Sequence, residues 1–106
     1  MNAKYWQKGE VIDYKNEGST TIDLGNVVML GERIGISGDV IQPDKTGTVH
    51  VSGVFVMAKD STAIDLGADV FYDETGDAVT TTGTVPIGWA IEAATGTDTE
   101  VKVKIG

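Results

Sequence analysis

Apolar and polar side chains alternate most clearly near the end of the chain, where Val101, Val103 and Ile105 are separated by charged residues. Because successive side chains of a strand point to opposite faces, this pattern predicts a strand that is buried on one face. A second alternation runs through residues 85–93, with small residues between its apolar positions. Pro86 and Gly88 and the absence of a 3.6-residue period argue against a helix there, so a second strand is predicted.

Other short apolar segments are bounded by Gly, Asp, Asn or Pro and predict further strands, giving about eight in all. These segments are Glu10 to Lys15, Asn26 to Leu30, Arg33 to Ser37, Thr48 to Met57, Ala68 to Tyr72 and Asp77 to Thr82. The loop from Asp73 to Asp77 predicts a hairpin in which Gly76 is left-handed. Short strands at this spacing predict an all-β fold, and closure into a small β-barrel would leave no exposed strand edge.

An internal repeat organises the chain. Residues 19–28 align without gaps on residues 61–70, with seven identities in ten. Two looser similarities pair Ile34-Gly35-Ile36 with Ile87-Gly88-Trp89, and Thr46-Gly47-Thr48 with Thr95-Gly96-Thr97. We interpret residues 19–57 and 61–105 as two similar halves, joined by residues 58–60, that close on each other with pseudo-twofold symmetry. Residues 1–106 are expected to form a single domain.

Charge narrows the choice of partners. Eight basic residues stand against sixteen acidic ones, for a formal net charge of −8. Such a field repels phosphate backbones and anionic lipid surfaces, so we expect neither nucleic acid nor membrane as a partner. There is no cysteine, so burial and strand pairing must stabilise the fold without disulfides. The first residues lack the apolar run of a signal peptide, and no stretch is long enough for a membrane span, which predicts a soluble protein.

No set of residues predicts catalysis, a metal site or a cofactor site. His50 is the only histidine, and it is interpreted as a surface or half-buried strand residue because no second imidazole or thiolate is present to complete a zinc site. Asp73, Glu74 and Asp77 lack calcium-loop spacing and fit a solvated hairpin turn. Gly-Lys of a phosphate-binding loop and the serine nucleophile-elbow motif are both absent. An enzyme is therefore not expected.

The repeated aspartates Asp23 and Asp65 have a structural interpretation. Each precedes a Leu-Gly pair, and we expect each carboxylate to accept hydrogen bonds from local backbone N–H groups and so set the turn before Gly25 or Gly67.

Residues 1–9 form a possible N-terminal arm, and Tyr5 and Trp6 in it are candidate partner contacts. The two rings could be the first strand's contribution to the core. Alternatively, the arm could add itself to a neighbouring chain, with the aromatic side chains as anchors of the kind that dominate interface energies.

The order of several motifs resembles a known family. An aromatic residue precedes Gly9, and the motifs that follow are Leu24 to Val27, Gly53-Val54-Phe55 with Lys59, Gly67 to Asp73, Val79 to Thr82, Ile87 to Ala90 and Val101 to Val103. Over nearly its whole length the chain resembles a domain-of-unknown-function family of small phage and prophage proteins. That family is often labelled as a predicted RecA/RadA recombinase and is encoded among head genes. We discount the recombinase label, because such chemistry requires a phosphate-binding loop and a surface that attracts DNA.

The resemblance implies a capsid decoration or head-stabilising protein with a small β-barrel fold. It implies the major capsid protein as partner, a trimeric homo-oligomer, and location on the capsid surface of the virion after synthesis in the host cytoplasm. It supplies no catalytic residues. A different class of function stays open beside it: a β-barrel module that binds a carbohydrate or a host-surface ligand, with Trp6 and Trp89 as stacking platforms.

Overall fold

The computed structural model describes all residues from Met1 to Gly106 and contains nine strands and no helix. The strands are β1 (Val11–Lys15), β2 (Val27–Leu30), β3 (Arg33–Ser37), β4 (Thr46–His50), β5 (Gly53–Ala58), β6 (Asp69–Asp73), β7 (Ala78–Thr80), β8 (Pro86–Ala90) and β9 (Glu100–Ile105). The predicted all-β class is therefore confirmed.

Two antiparallel sheets make up the fold. The first sheet has the order β1-β4-β3-β2, and the second has the order β5-β9-β8-β6-β7. No hydrogen-bonded ladder joins the two sheets, so the predicted single barrel is not confirmed. Only in the second sheet do the two edges approach each other, where Lys59 forms a parallel bridge with Val79 beyond the end of β5.

The predicted strand from Thr48 to Met57 is wrong as a single element. It is divided at Val51-Ser52, and β4 joins the first sheet while β5 joins the second. Gly53, with a φ of 127°, begins the new strand in a conformation that side chains rarely adopt. The sheets consequently divide the chain into residues 11–50 and 53–105, which differs from the predicted copies 19–57 and 61–105.

The two sheets share one connectivity. The strands β1 to β4 correspond to β5, β6, β8 and β9, and β7 is an addition at the edge of the second sheet. Val28 pairs with Gly35 in the first sheet as Val70 pairs with Gly88 in the second, which agrees with the predicted similarity of the two Ile-Gly motifs. In each half an isolated bridge closes a loop over the sheet, from Ile22 to Ile41 and from Ile64 to Ala94.

The other predicted similarity, of Thr46-Gly47-Thr48 with Thr95-Gly96-Thr97, is wrong. Thr46 to Thr48 lie within β4, whereas Thr95 to Thr97 form a turn before β9, closed by a hydrogen bond from the Asp98 N–H to the Thr95 carbonyl at 3.2 Å. The equivalent turn of the first half is at Pro43-Asp44, closed from the Lys45 N–H to the Gln42 carbonyl at 3.0 Å. Threonine and glycine occur in both strands and turns. The two segments were therefore matched by their composition although their structures differ.

The core is shared between the halves. Its larger cluster joins Ile34 and Ile36 of β3 to ten buried side chains of the second half. A smaller cluster of Val28, Ile41 and Val49 lies on the opposite face of the first sheet. The molecule is flat, with extents of 40 × 37 × 20 Å. Its radius of gyration of 14.7 Å exceeds the ~13 Å of a compact chain of this length.

Two turn predictions need correction. In the hairpin between β6 and β7, Asp77 rather than Gly76 has a positive φ, of 50°. In the twin turns, the carboxylates of Asp23 and Asp65 accept no hydrogen bond. Their main-chain carbonyls do instead, from the N–H groups three residues later, at 3.1 Å in both turns. Gly25 and Gly67 each have a φ of 84°, which the third position of a type II turn requires.

Candidate interaction surfaces

The N-terminal arm, defined as residues 1–9, has no regular secondary structure, and every residue in it is exposed. Tyr5 is 83% exposed and Trp6 is 90% exposed. The side-chain hydrogen bond that the arm makes runs from Gln7 Nε2 to the carbonyl of Val11 at 3.0 Å. The interpretation of these rings as part of the first strand's core is therefore wrong, because β1 begins only at Val11. Their role as partner contacts remains a prediction.

The arm differs in charge from the rest of the chain. Two of the eight basic residues, Lys4 and Lys8, lie in it, and it contains no acidic residue. The other six basic residues stand against all sixteen acidic ones. The arm is thus a cationic, aromatic segment attached to a strongly anionic body.

A groove of about 200 Å³ lies between the two sheets. Its apolar lining includes Val27 and Ile36 from the first sheet, and Phe55, Met57 and Val79 from the second. We call it the inter-sheet groove. At its rim the hydroxyl of Tyr72 donates a hydrogen bond to Asp77 Oδ1 at 2.6 Å. Burial and the neighbouring Asp77 carboxylate together raise the pKa of Tyr72 to about 12.

The second sheet leaves one face uncovered. Across this face Val54 pairs with Lys104, and Lys104 pairs with Trp89. In the next row Val56 pairs with Lys102. Cross-strand partners point to the same side of a sheet, so these five side chains form one surface, which we call the outer face. Val54, Val56 and Trp89 are 53%, 57% and 42% exposed, respectively.

The equivalent face of the first sheet is covered. By register, Ile36 corresponds to Trp89 and His50 corresponds to Lys104. Ile36 is 6% exposed and belongs to the larger core cluster. The same side of the repeated unit is therefore an internal contact in the first half and a free surface in the second.

A family model described as "phage cement protein" matches residues 6–105. The chain belongs to the phage cement protein family. The resemblance to small phage capsid-associated proteins is thus confirmed, and nothing in the match supports the recombinase label. No curated protein and no solved structure matches the chain.

His50 is half-buried in β4, as predicted, and its ring lies against Phe55 with centroids 5.7 Å apart. No three His, Cys, Asp or Glu side chains are grouped so that they could hold a metal ion. The structure contains no helix, and hence none that could span a membrane.

Sequence reasoning missed two exposed leucines of the cement protein. Leu24 and Leu66 occupy equivalent turns and are 67% and 66% exposed. Their position before the left-handed glycine of an Asp-Leu-Gly turn is a signal for exposure, because the second residue of such a turn is at its tip. Val54 and Val56 of the outer face were missed as well, since apolar strand residues are by default predicted to be buried, whereas Trp89 had been named as a candidate stacking platform.

Proposed function

We propose that this cement protein binds the outer surface of the assembled phage capsid and stabilises it by bridging neighbouring subunits of the major capsid protein. The observation that carries this proposal is the family match over residues 6–105. The protein acts as a symmetric trimer that is made in the host cytoplasm and ends on the surface of the virion. Its role is structural and involves no catalysis.

Stabilisation follows from mass action. A ligand that binds the assembled lattice but not the free subunits lowers the free energy of the lattice in proportion to the logarithm of its concentration over its dissociation constant. A trimer that engages several subunits at once adds avidity, because each contact after the first becomes intramolecular. Weak contacts from each copy are then sufficient to hold the trimer on the capsid.

The outer face supports this role as the capsid contact. Trp89 on β8 supplies the large aromatic anchor that binding hot spots favour, and Val54 and Val56 on β5 add exposed apolar area to the same face. Lys104 lies between Val54 and Trp89, and Lys102 lies beside Val56, so two cationic side chains on the central strand β9 offer polar contacts to the capsid. The flat shape of the molecule, 20 Å in its smallest extent, suits a protein that covers a surface.

The acidic body supports the same role in a second way. With a net charge of −8, the free protein is repelled by nucleic acid, so it does not compete for the genome during assembly.

The direct test uses heads that lack the protein, from the phage that encodes it. Purified protein is added, and density on the capsid is sought by cryo-electron microscopy. We expect added density on the outer surface at a fixed set of lattice positions, and a higher temperature for thermal disruption of decorated heads. Absence of binding to these heads at micromolar protein would refute the proposal.

The alternative, binding of a carbohydrate or a host-surface ligand, has one observation in its favour: Trp89 is 42% exposed rather than buried in the core. Quenching of Trp89 fluorescence by glycans, measured in a Trp6→Phe variant, would support it. We prefer the capsid role because the family match points to it.

A further inference from the structure

The strand β5 has one edge that forms no ladder with another strand of the chain. It pairs with β9 on one side. On the other side the chain meets β7 just beyond the end of β5, where Lys59 forms a bridge with Val79 and the Asp60 N–H donates to the Val79 carbonyl at 3.0 Å, and no ladder pairs β5 itself with β7. The segment from Gly53 to Ala58 contains no charged residue and no proline. Natural proteins usually blunt such edges with charges, prolines or bulges, since an unprotected edge is a template for an added strand. The β5 edge is therefore suited to receiving one.

The inter-sheet groove lies beside this edge, because Phe55 to Ala58 form part of its wall. Its volume of about 200 Å³ is below the roughly 300–1,000 Å³ of typical small-molecule pockets. An apolar groove of that size fits one large side chain better than a ligand molecule. An extended segment on the β5 edge could place such a side chain directly into it.

The N-terminal arm has the properties of that segment. Nine extended residues reach up to ~30 Å, and the six residues of β5 span only about 20 Å. The arm carries two exposed aromatic side chains at adjacent positions, so one of them points toward the sheet while the other points away. Its two lysines and lack of acidic residues complement the anionic body of another copy.

The arm does not serve its own chain in this way. In the single chain Trp6 stays 90% exposed, and the hydrogen bond of Gln7 turns back to Val11 at the start of β1. In the single chain, the groove thus receives no side chain from the arm, and the aromatic rings of the arm have no pocket. A second copy can supply both contacts.

We propose that the arm of one copy adds as a strand to the free edge of β5 in a neighbouring copy and inserts Trp6 into the inter-sheet groove there. This rests on the oligomeric part of the proposed function and explains how the copies are held together. The contact is heterologous, so it forms a ring when the rotation between copies closes. Closure after three copies gives the trimer.

The test follows Trp6 in the full-length chain. In a Trp89→Phe variant Trp6 is the sole tryptophan, and its emission reports whether the ring is in water. Sedimentation velocity and emission are recorded together over a concentration series. We expect a concentration-dependent rise in sedimentation coefficient to that of a trimer, with a blue shift of Trp6 emission over the same range.

Two variants interrupt the contact from opposite sides. Trp6→Ala removes the anchor, and Ala58→Lys places a cation on the β5 edge, where it repels the cationic arm. Each should weaken self-association at least ~10-fold, which corresponds to about 1.4 kcal/mol. Ala93→Lys is the matched control, because Ala93 is exposed and lies outside the groove. It should associate like the parent chain, and circular dichroism verifies that all variants are folded.

Three results would overturn the inference. Self-association that is unchanged in the Trp6→Ala chain excludes the arm as the link. A blue-shifted Trp6 in a monomer places the arm on its own chain. Trp6 burial that occurs only when heads are added assigns the arm to the capsid instead. The same experiments distinguish this inference from the proposed capsid role. A protein that trimerises through the arm but does not bind heads would refute only the capsid role.

Discussion

Asn16 and Lys59 occupy equivalent positions in the two halves, immediately after β1 and β5, and both side chains are buried and donate to main-chain carbonyls. Asn16 Nδ2 donates to the carbonyls of Thr20 and Ile41 at 2.8 and 2.9 Å. Lys59 Nζ donates to the carbonyls of Asp60, Thr95 and Asp98 at 2.8, 2.8 and 3.2 Å. Each side chain therefore links the end of the first strand of its half, β1 or β5, to loops of the same half through hydrogen bonds. Asparagine makes these bonds in the first half and lysine makes them in the second.

This arrangement predicts a large effect of Lys59→Met on stability. The variant keeps the length of the side chain but leaves three carbonyls without their donor, and hydrogen bonds to charged groups contribute about 1.5–3 kcal/mol. We expect the free energy of unfolding to fall by about 3 kcal/mol in urea titrations, and Asn16→Ala to lower it by about 1–3 kcal/mol. Lys45→Met, at an exposed lysine, should stay within about 0.5 kcal/mol of the parent. Equal effects at Lys45 and Lys59 would contradict this interpretation.

Gly35 and Gly88 predict a second pair of equivalent effects. A Cβ at Gly88 would overlap the main-chain carbonyl of Lys104, and one at Gly35 would overlap the side chain of Val49 and meet the His50 carbonyl oxygen at 3.0 Å. Gly88→Ala should cost more than about 3 kcal/mol, because neither backbone can move aside without breaking the β8–β9 ladder. Gly35→Ala should cost less, since a side chain can yield. In thermal unfolding, a Gly88→Ala chain as stable as the parent would show that β8 and β9 are not so close.

The sequence predicts a structural feature when the pattern that specifies it lies within a few neighbouring residues. The strand β9 was predicted correctly because the alternation of Val101, Val103 and Ile105 is local and has a period of two. The division between β4 and β5 was missed because apolar residues continue through Val51 and only Ser52-Gly53 signals the break. The choice of sheet for each strand depends on long-range pairing, which a local pattern does not contain.

The surfaces were harder to predict for a related reason. Val54 and Val56 have the pattern of buried strand residues, yet they are exposed because nothing covers the second sheet, whereas Ile36 at the corresponding side of the first sheet is covered. A repeat predicts that two halves share a fold, but it does not predict which copy of a face is buried by the other. The arm, in contrast, was foreseeable from Tyr5 and Trp6 before the turn at Gly9.

The hydrogen bond of Tyr72 with Asp77 predicts a stability change at high pH. The pKa of Tyr72 rises from 10.0 to about 12 in the folded chain, so between these values the unfolded chain releases a proton that the folded chain retains. The contribution of this pKa shift to the free energy of unfolding is therefore fully present below pH 10 and is lost as the pH rises toward 12. Tyrosinate absorbance should show a component near pH 12 that is absent in Tyr72→Phe and moves to lower pH in Asp77→Asn. An unchanged component in Asp77→Asn would argue against the contact.

Asp39 predicts a change at low pH. Its Oδ2 accepts hydrogen bonds from the N–H and the hydroxyl of Thr48, both at 2.9 Å, which hold the pKa of Asp39 below 3.8. A depressed pKa contributes stability that is present above 3.8 and lost as the pH falls through the folded value. Thr48→Val removes the hydroxyl and should raise the pKa of Asp39 in a carboxyl NMR titration. Thr46→Val, which touches no such bond, should leave it unchanged, and a lack of effect in Thr48→Val would assign the depression to the backbone N–H alone.

The outer face predicts which variants separate capsid binding from self-association. Trp89→Ala removes the aromatic anchor of that face, and truncating such an anchor costs about 2 kcal/mol or more. We expect binding to undecorated heads to weaken at least ~10-fold per copy, while the sedimentation coefficient of the free protein stays that of the parent, because Trp89 does not line the inter-sheet groove. Val40→Ser is the control, since Val40 is 62% exposed but lies outside the outer face. If Trp89→Ala bound heads as the parent does and Val40→Ser did not, the capsid contact would belong to the first half, on the side of the loop between β3 and β4. Weakening by both variants would instead indicate a contact that spans both halves, with the free energy of binding distributed between the two sheets.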